Sequence, residues 1–229
     1  MLHEFDDHHR ERSVAPPAKL VRVAKIAAVL LLVVAALTVL AYRHLATRES
    51  ETPPVMSRLS SFSLYDQHGK NVELAALDDT IWVADFIFTS CQAACPMLTS
   101  RMRALQKHLE LQDQAKGRPL PIKLVSFSVD PEVDTPDKLA AYAAKWGADD
   151  KRWLFLTGPL GEVNRAVTQG LKIPFEKGGA DTAAFDVMHG EHFVVVDGAH
   201  QIRGYFDTDP AGIERLKTTL EVLLKEKGR

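Results

Sequence analysis

Residues 81–96 read IWVADFIFTSCQAACP, and this stretch decides the fold. Its first half, residues 81–88, is an apolar run rich in β-branched and aromatic residues, which is typical of a strand buried on both faces. The two cysteines of the chain, Cys91 and Cys95, follow it, and apolar residues at helical spacing begin after Pro96. The stretch therefore predicts a buried strand, a turn that carries both cysteines, and a helix.

The elements on either side complete a mixed α/β domain. Residues 122–129 (IKLVSFSV) predict a second buried strand, so strand, helix and strand make a βαβ unit. Alternation around the turn at residues 66–69 predicts a hairpin. The sequence then predicts, in order, helix 136–146, strand 153–156, helix 161–169, a loop with Gly178-Gly179, a hairpin of strands 192–196 and 202–206, and an amphipathic C-terminal helix. This order predicts an α/β, thioredoxin-like fold with an N-terminal β-hairpin extension.

A charge-free apolar run precedes this domain. Residues 26–42, between Lys25 and Arg43, cover ~25 Å as a helix, the lower limit for a transmembrane helix. Basic residues concentrate before the run, which places the N-terminus inside. A cleaved signal peptide fits less well, since the preceding flank is long and no small-x-small site follows. We expect a cytoplasmic tail (1–25), a single-pass anchor in the cytoplasmic (inner) membrane (26–42), a linker (43–59) and an extracytoplasmic, periplasmic domain (60–229).

The overall composition excludes one class of partner. With 46% hydrophobic and 25% charged residues, the chain resembles an ordinary globular protein with one main core. A net charge of -2 and a pI near 6.5 leave no broad basic field. A nucleic-acid partner is therefore not expected.

The cysteine pair suggests metal or redox chemistry. A helix N-terminus favours thiolates, and thiolates are soft ligands that select copper(I). Three residues separate Cys91 from Cys95, so the two sulfurs can share a metal or close a disulfide. A permanent structural disulfide is disfavoured because so short a loop constrains the unfolded chain little. A structural zinc site normally needs four ligands, and there is no second cysteine pair.

An imidazole could complete a three-coordinate site. The candidates in the domain are His68, His108, His189, His192 and His200. In a thioredoxin-like fold the segment that enters strand 192–196 passes beside the cysteine turn, which favours His189, although a solvated histidine is an open alternative. Asp130 follows the second core strand, where it could serve the site or only a turn.

Three separated motifs resemble those of the Sco (SenC) family. They are TSCQAACP at residues 89–96, SVDPEVDTP at residues 128–136, and His189 eight residues before Asp197-Gly198. The resemblance covers roughly residues 60–225 and implies a membrane-anchored, thioredoxin-like protein that binds copper. It implies Cys91 and Cys95 as thiolate ligands, His189 as the third ligand and Asp130 as a nearby acidic residue. Gln92 departs from the proline that the family often has after its first cysteine.

The resemblance implies a copper metallochaperone that serves assembly of the binuclear copper centre of cytochrome c oxidase. The expected partners are the copper-site subunit of the oxidase, and another copper carrier or a thiol reductant. The alternative is an extracytoplasmic thiol:disulfide oxidoreductase that keeps partner cysteines reduced. A peroxidase is the weakest reading, because that chemistry gives the cysteine pair and His189 no necessary part.

Overall fold

The chain divides into two units, Met1–Glu51 and Thr52–Arg229. The computed structural model describes residues 18–48, 52–91, 94–177, 185–187 and 192–228. In the first unit, helix α1 (Ala18–Arg48) extends beyond the predicted span of residues 26–42, and its described large apolar side chains are exposed. Across the described ranges, no helix has the length and apolar content needed to cross a membrane. The anchor stays a prediction.

The second unit contains ten strands and four helices within its described residues. The strands are β1 (Ser57–Arg58), β2 (Ser63–Tyr65), β3 (Asn71–Glu73), β4 (Ile81–Ile87), β5 (Ile122–Ser128), β6 (Trp153–Leu156), β7 (Phe175–Lys177), β8 (Phe185–Val187), β9 (His192–Val196) and β10 (Gln201–Asp207). The helices are α2 (Ala94–Lys116), α3 (Pro136–Trp146), α4 (Leu160–Asn164) and α5 (Pro210–Lys227).

Six strands form the central sheet, in the order β1-β10-β9-β4-β5-β6. β4, β5 and β6 pair in parallel, whereas β9 is antiparallel to β4, β10 to β9, and β1 to β10. The predicted βαβ unit is β4-α2-β5, and the predicted hairpins are β2-β3 and β9-β10. These pairings confirm the predicted mixed α/β fold.

The core is centred on β4, which is buried along its whole length. On one face of the sheet, the ring of Phe127 lies 5.9 Å from that of Phe62, and 6.2 Å from those of Trp82 and Phe86. Burying aromatic rings of this size contributes strongly to stability, so the centre of the sheet is a rigid support for the turns at its ends.

Local signals set the ends of α3. Thr135 is its N-cap and accepts a hydrogen bond from Lys138 N–H, and Pro136 occupies the first turn. The helix ends at Gly147, whose φ of 64° is the left-handed conformation that glycine adopts without strain. The predicted bounds, residues 136–146, are confirmed.

The structure differs from the sequence analysis at three places. The helix predicted over residues 161–169 is α4 followed by a π-helical segment, Arg165–Gly170. The short hairpin β7-β8 was not predicted, and the Gly178-Gly179 loop lies outside the described residues. Of the predicted linker 43–59, residues 43–48 belong to α1, and β1 joins the sheet. β1 was missed because a two-residue strand has too little alternation to detect.

Candidate functional site

The carboxyl ends of β4 and β5 carry two of the three predicted motifs. The two strands pair in parallel along their full length, and Val129 N–H donates to Ile87 O at 2.9 Å just beyond them. The turn with Cys91 follows β4, and the loop with Asp130 and Asp134 follows β5. The motifs therefore meet at one edge of the sheet, where α/β folds place functional loops.

Both cysteines are reduced, and the start of α2 brings them together. Cys91 is half-buried, whereas Cys95 is buried with 4% of its surface exposed. α2 begins at Ala94, so Cys95 lies in its first turn, and the Cys95 N–H donates to Cys91 Sγ at 3.4 Å. Cys91 N–H donates to Phe88 O at 3.1 Å. The pair lies at the strand-to-helix turn, as predicted, and Gln92 lies outside the described residues.

The electrostatics of Cys95 differ from the prediction. Burial raises the pKa of its thiol well above the usual range, and the hydrogen bond with Cys91 and the charges of Cys91 and Asp85 raise it further. The position at a helix N-terminus favours the thiolate, but at Cys95 desolvation is the largest contribution and raises the pKa instead. By exposure, Cys91 is the more accessible sulfur of the pair.

Asp134 fixes the loop that leads to Cys91, a role that the sequence analysis missed. Its buried carboxylate accepts hydrogen bonds from Thr89 N–H at 3.0 Å, Thr89 Oγ1 at 2.5 Å and Ser128 Oγ at 2.7 Å. Thr135, and not Asp134, is the N-cap of α3. An acidic residue within the SVDPEVDTP motif was the available signal. Asp134 thus joins the cysteine turn to the end of β5.

Asp130 lies at the same edge of the sheet and is buried. Its carbonyl accepts hydrogen bonds from the N–H groups of Val133 at 3.0 Å and Asp134 at 2.8 Å, and its own N–H donates to Ser128 Oγ at 3.2 Å. These backbone bonds build the turn that presents Asp134. They support the turn role, and a direct role of Asp130 in the site stays a prediction.

His189, the predicted third ligand, lies outside the described residues. The described strands show where the chain returns to the sheet. In the antiparallel pairing of β9 with β4, Val194 lies opposite Ala84, and Val196 lies opposite Trp82. β9 therefore begins, at His192, at the edge where β4 ends. The ligand role of His189 stays a prediction.

The other candidate histidines each have a polar partner away from the cysteines. The partners are Asp150 for His68 at 3.4 Å, Gln112 for His108 at 3.5 Å, Asp207 for His192 at 3.0 Å and Asp78 for His200 at 2.6 Å. Among the described residues, no three His, Cys, Asp or Glu side chains are grouped to hold a metal, and His189 is not among those residues. Each of these four histidines therefore has a polar contact within the part of the chain that the structure describes.

Asp85, in the middle of β4, is a second feature that the sequence analysis missed. Its side chain is fully buried, and burial raises the pKa of its carboxyl to about 7, although the hydroxyl of Ser126 lowers it in part. The signal was visible as one acidic residue inside an apolar run. A carboxyl with this pKa changes charge near neutral pH. Asp85 lies in β4, the strand that leads into the cysteine turn.

The family comparison agrees with this site. A SCO1/SenC family model matches residues 51–224, which include the cysteine turn, the Asp134 loop and His189. The chain belongs to the SCO1/SenC family. Among curated relatives, the SCO1 protein homolog of Bacillus subtilis (strain 168) is 40% identical over 105 residues, or 46% of this chain and 51% of that protein. The match thus spans about half the length of this SCO1 relative.

Solved Sco structures share the fold. BsSco, described as having a disulfide switch and as a member of the Sco family of cytochrome c oxidase assembly proteins, is 28% identical with a TM-score of 0.62, over 74% of this chain and 95% of BsSco. ScoI of Bradyrhizobium japonicum with copper bound is 20% identical with a TM-score of 0.58, over 75% of this chain and 99% of ScoI. The likeness to ScoI, at this identity, shows the fold alone.

Proposed function

We propose that this SCO1/SenC protein is a copper metallochaperone. It binds copper(I) through the thiolates of Cys91 and Cys95 and the imidazole of His189. The observation that carries the proposal is the reduced cysteine pair at the start of α2, where the N–H of one cysteine contacts the sulfur of the other. Two sulfurs in one turn can bind one ion, and soft sulfur ligands prefer copper(I) to hard cations.

The proposed recipient of the metal is the copper-site subunit of a cytochrome c oxidase. This is supported by membership of the SCO1/SenC family and by BsSco, which is described as one of the cytochrome c oxidase assembly proteins. The half-buried position of Cys91 suits transfer, because a partner's ligand can approach that sulfur while Cys95 remains covered. A second copper carrier or a thiol reductant would load or reduce the pair.

Replacing His189 with alanine is expected to weaken copper(I) binding by at least about tenfold, since even loss of an outer partner of a ligand costs ~10–100-fold in metal affinity. The affinity is measured on the reduced chain by competition with a chromophoric copper(I) chelator. The paramagnetic spectrum of the copper(II) form should change in the same variant.

His200→Ala is the matched control. His200 lies in the turn between β9 and β10, and its side chain contacts Asp78. It should retain the copper affinity of the unmodified chain. If His189→Ala also retains it and still supports oxidase assembly, the three-ligand model is wrong.

A thiol:disulfide oxidoreductase is the second candidate function. The contact between Cys95 N–H and Cys91 Sγ shows that the two residues are adjacent in the reduced form, and BsSco is described as having a disulfide switch. A copper-free chain that reduces a disulfide in the oxidase copper-site subunit at unchanged rate after His189→Ala would favour this function over metal delivery.

We further propose that residues 26–42 anchor the domain on the outer side of the cytoplasmic membrane. The proposal is supported by the exposed apolar side chains of α1 and by the excess of basic residues before position 26. A C-terminal fusion to a reporter that is active only in the periplasm should be active, and a fusion active only in the cytoplasm should not. The reverse pattern would refute this location.

A further inference from the structure

A cavity lies between the C-terminal ends of α2 and α5, at the end of the domain opposite the cysteine turn. Its volume is about 430 Å³. Leu120 and Pro121 form part of its wall and lead into β5. Ile81 N–H, at the start of β4, donates to Pro121 O at 3.0 Å. Because β4 and β5 run in parallel, the cavity lies where these strands begin, whereas the cysteine turn lies where they end.

The rim of this cavity is positively charged. It carries four exposed cations on or just beyond the ends of the two helices, namely Lys116, Arg118, Lys225 and Lys227. Glu221 is the one carboxylate among the described residues that line it. The chain as a whole has a net charge of -2, so this concentration of cations is a local feature. Four cations opposed by one carboxylate attract an anion.

The neighbouring carboxylates do not neutralise the rim. Asp113 on α2 pairs with Arg152, and Glu226 on α5 pairs with Arg203 at 3.2 Å. Lys227 donates one of its three N–H groups to a backbone carbonyl. Across the described ranges, the other three rim cations have neither an ion pair nor a side-chain hydrogen bond; they are Lys116, Arg118 and Lys225. Their charges are therefore available to a ligand.

The helix ends account for only part of this arrangement. Lysines in the last turn of a helix offset the partial negative charge there, but Arg118 lies beyond the end of α2. The wall of the cavity is also apolar where Leu120, Pro121 and Leu224 line it, which a helix end does not require. A cationic rim beside an apolar wall fits a phosphate group that is linked to glycerol better than it fits a bare ion.

The chain enters the domain near this cavity. The carbonyl of Pro53 accepts a hydrogen bond from Arg203 Nη2 at 2.7 Å, and the same Nη2 lies 3.2 Å from Glu226, which stands between two of the rim lysines. Only residues 43–52 separate this point from the proposed anchor, residues 26–42. So short a connection limits how far this end of the domain can lie from the lipid surface. A phospholipid headgroup is therefore the phosphate source that the chain itself brings close.

We propose that this cavity binds the phosphate headgroup of an anionic phospholipid at the surface of the membrane that holds the anchor. The cysteine turn lies at the opposite end of the parallel strands, so this contact directs Cys91 away from the lipid and toward a partner that extends from the membrane. Such binding depends on the proposed anchor, residues 26–42, and involves no metal.

Lysine labelling of the full-length chain tests this binding. The chain is inserted into lipid nanodiscs of phosphatidylcholine, with or without phosphatidylglycerol, and mass spectrometry follows modification by an amine-reactive reagent. With phosphatidylglycerol, the labelling rates of Lys116 and Lys225 should fall at least about fivefold, the factor that one basic residue contributes at an anionic surface. Lys138, at the start of α3 on the cysteine side of the domain, should be labelled equally in both.

Arg118→Glu reverses one charge of the rim, at an exposed side chain that lines the cavity. The variant should abolish the protection of Lys116 and Lys225. Lys107→Glu is the matched control, since it makes the same change at an exposed position of α2 that does not line the cavity. It should retain the protection.

Equal labelling of Lys116 and Lys225 in the two lipid compositions would overturn the inference. So would the same protection from excess inorganic phosphate in neutral nanodiscs, which would assign the cavity to a free ion. An equal loss of protection in Lys107→Glu would also overturn it, because the effect would then be one of diffuse charge. A chain that enters nanodiscs of neither composition would refute the anchor itself, and the headgroup site with it.

Discussion

Cys95→Ser is expected to abolish specific copper(I) binding. The change removes a soft ligand and substitutes a hydroxyl, which is a poor ligand for copper(I). The loss in affinity should exceed the ~10–100-fold that accompanies loss of an outer partner of a metal ligand. Competition with a chromophoric chelator measures the effect on the reduced chain, and circular dichroism checks that the fold is retained.

A second variant tests the other sulfur. Cys91→Ser should lose copper binding to a similar degree, because both thiolates belong to the proposed set. Ser90→Ala is the matched control, since Ser90 is an exposed neighbour in the same turn. It should bind copper(I) as the unmodified chain does. Retained affinity in Cys95→Ser would mean that the buried sulfur is not a ligand.

Asp134→Ala is expected to destabilise the domain by about 3 kcal/mol, since it leaves the buried Ser128 hydroxyl and the part-buried donors of Thr89 without their acceptor. Urea unfolding followed by tryptophan fluorescence measures the loss. Thr89 precedes Cys91 by two residues, so loss of its bonds to Asp134 should loosen the turn that holds Cys91. The copper(II) spectrum of the variant should therefore broaden even where the variant is still folded.

Asp137→Ala gives the matched comparison for Asp134. It removes the same charge three residues later, but from an exposed position in the first turn of α3. Its cost should stay near the ~0.3–1 kcal/mol of a helix-end charge interaction. Equal losses for the two variants would show that the hydrogen bonds of Asp134 contribute nothing beyond its charge.

The sequence predicted those parts of the fold that depend on local pattern. β4 is recognisable because a continuous apolar run can be satisfied only by burial on both faces, and α3 because Thr135, Pro136 and Gly147 mark its ends. Cys95 could be placed at a strand-to-helix turn because it follows β4 and stands directly before Pro96 and the apolar spacing of α2. Short elements such as β1 have too few residues to produce a pattern, and their position depends on the strand they pair with.

The less predictable part of the site depends on contacts between distant segments. Asp134 meets Thr89 across 45 residues of sequence, and no spacing rule indicates that contact. The pKa of Cys95 depends on how tightly the domain packs over it, which outweighs the favourable field of the helix end that the sequence does reveal. Asp85 was visible as an acidic residue in an apolar run, but only the structure shows that it is fully buried.

The pairing of β1 with β10 has a consequence for preparing soluble fragments of the protein. β1 covers the outer edge of β10, and Arg203, next to this pairing, binds the carbonyl of Pro53 through Nε at 3.0 Å and Nη2 at 2.7 Å. A fragment that starts after Arg58 would leave the backbone of β10 open to strands of other molecules, which promotes aggregation. A fragment that starts at Thr52 retains this cover and should remain monomeric in solution.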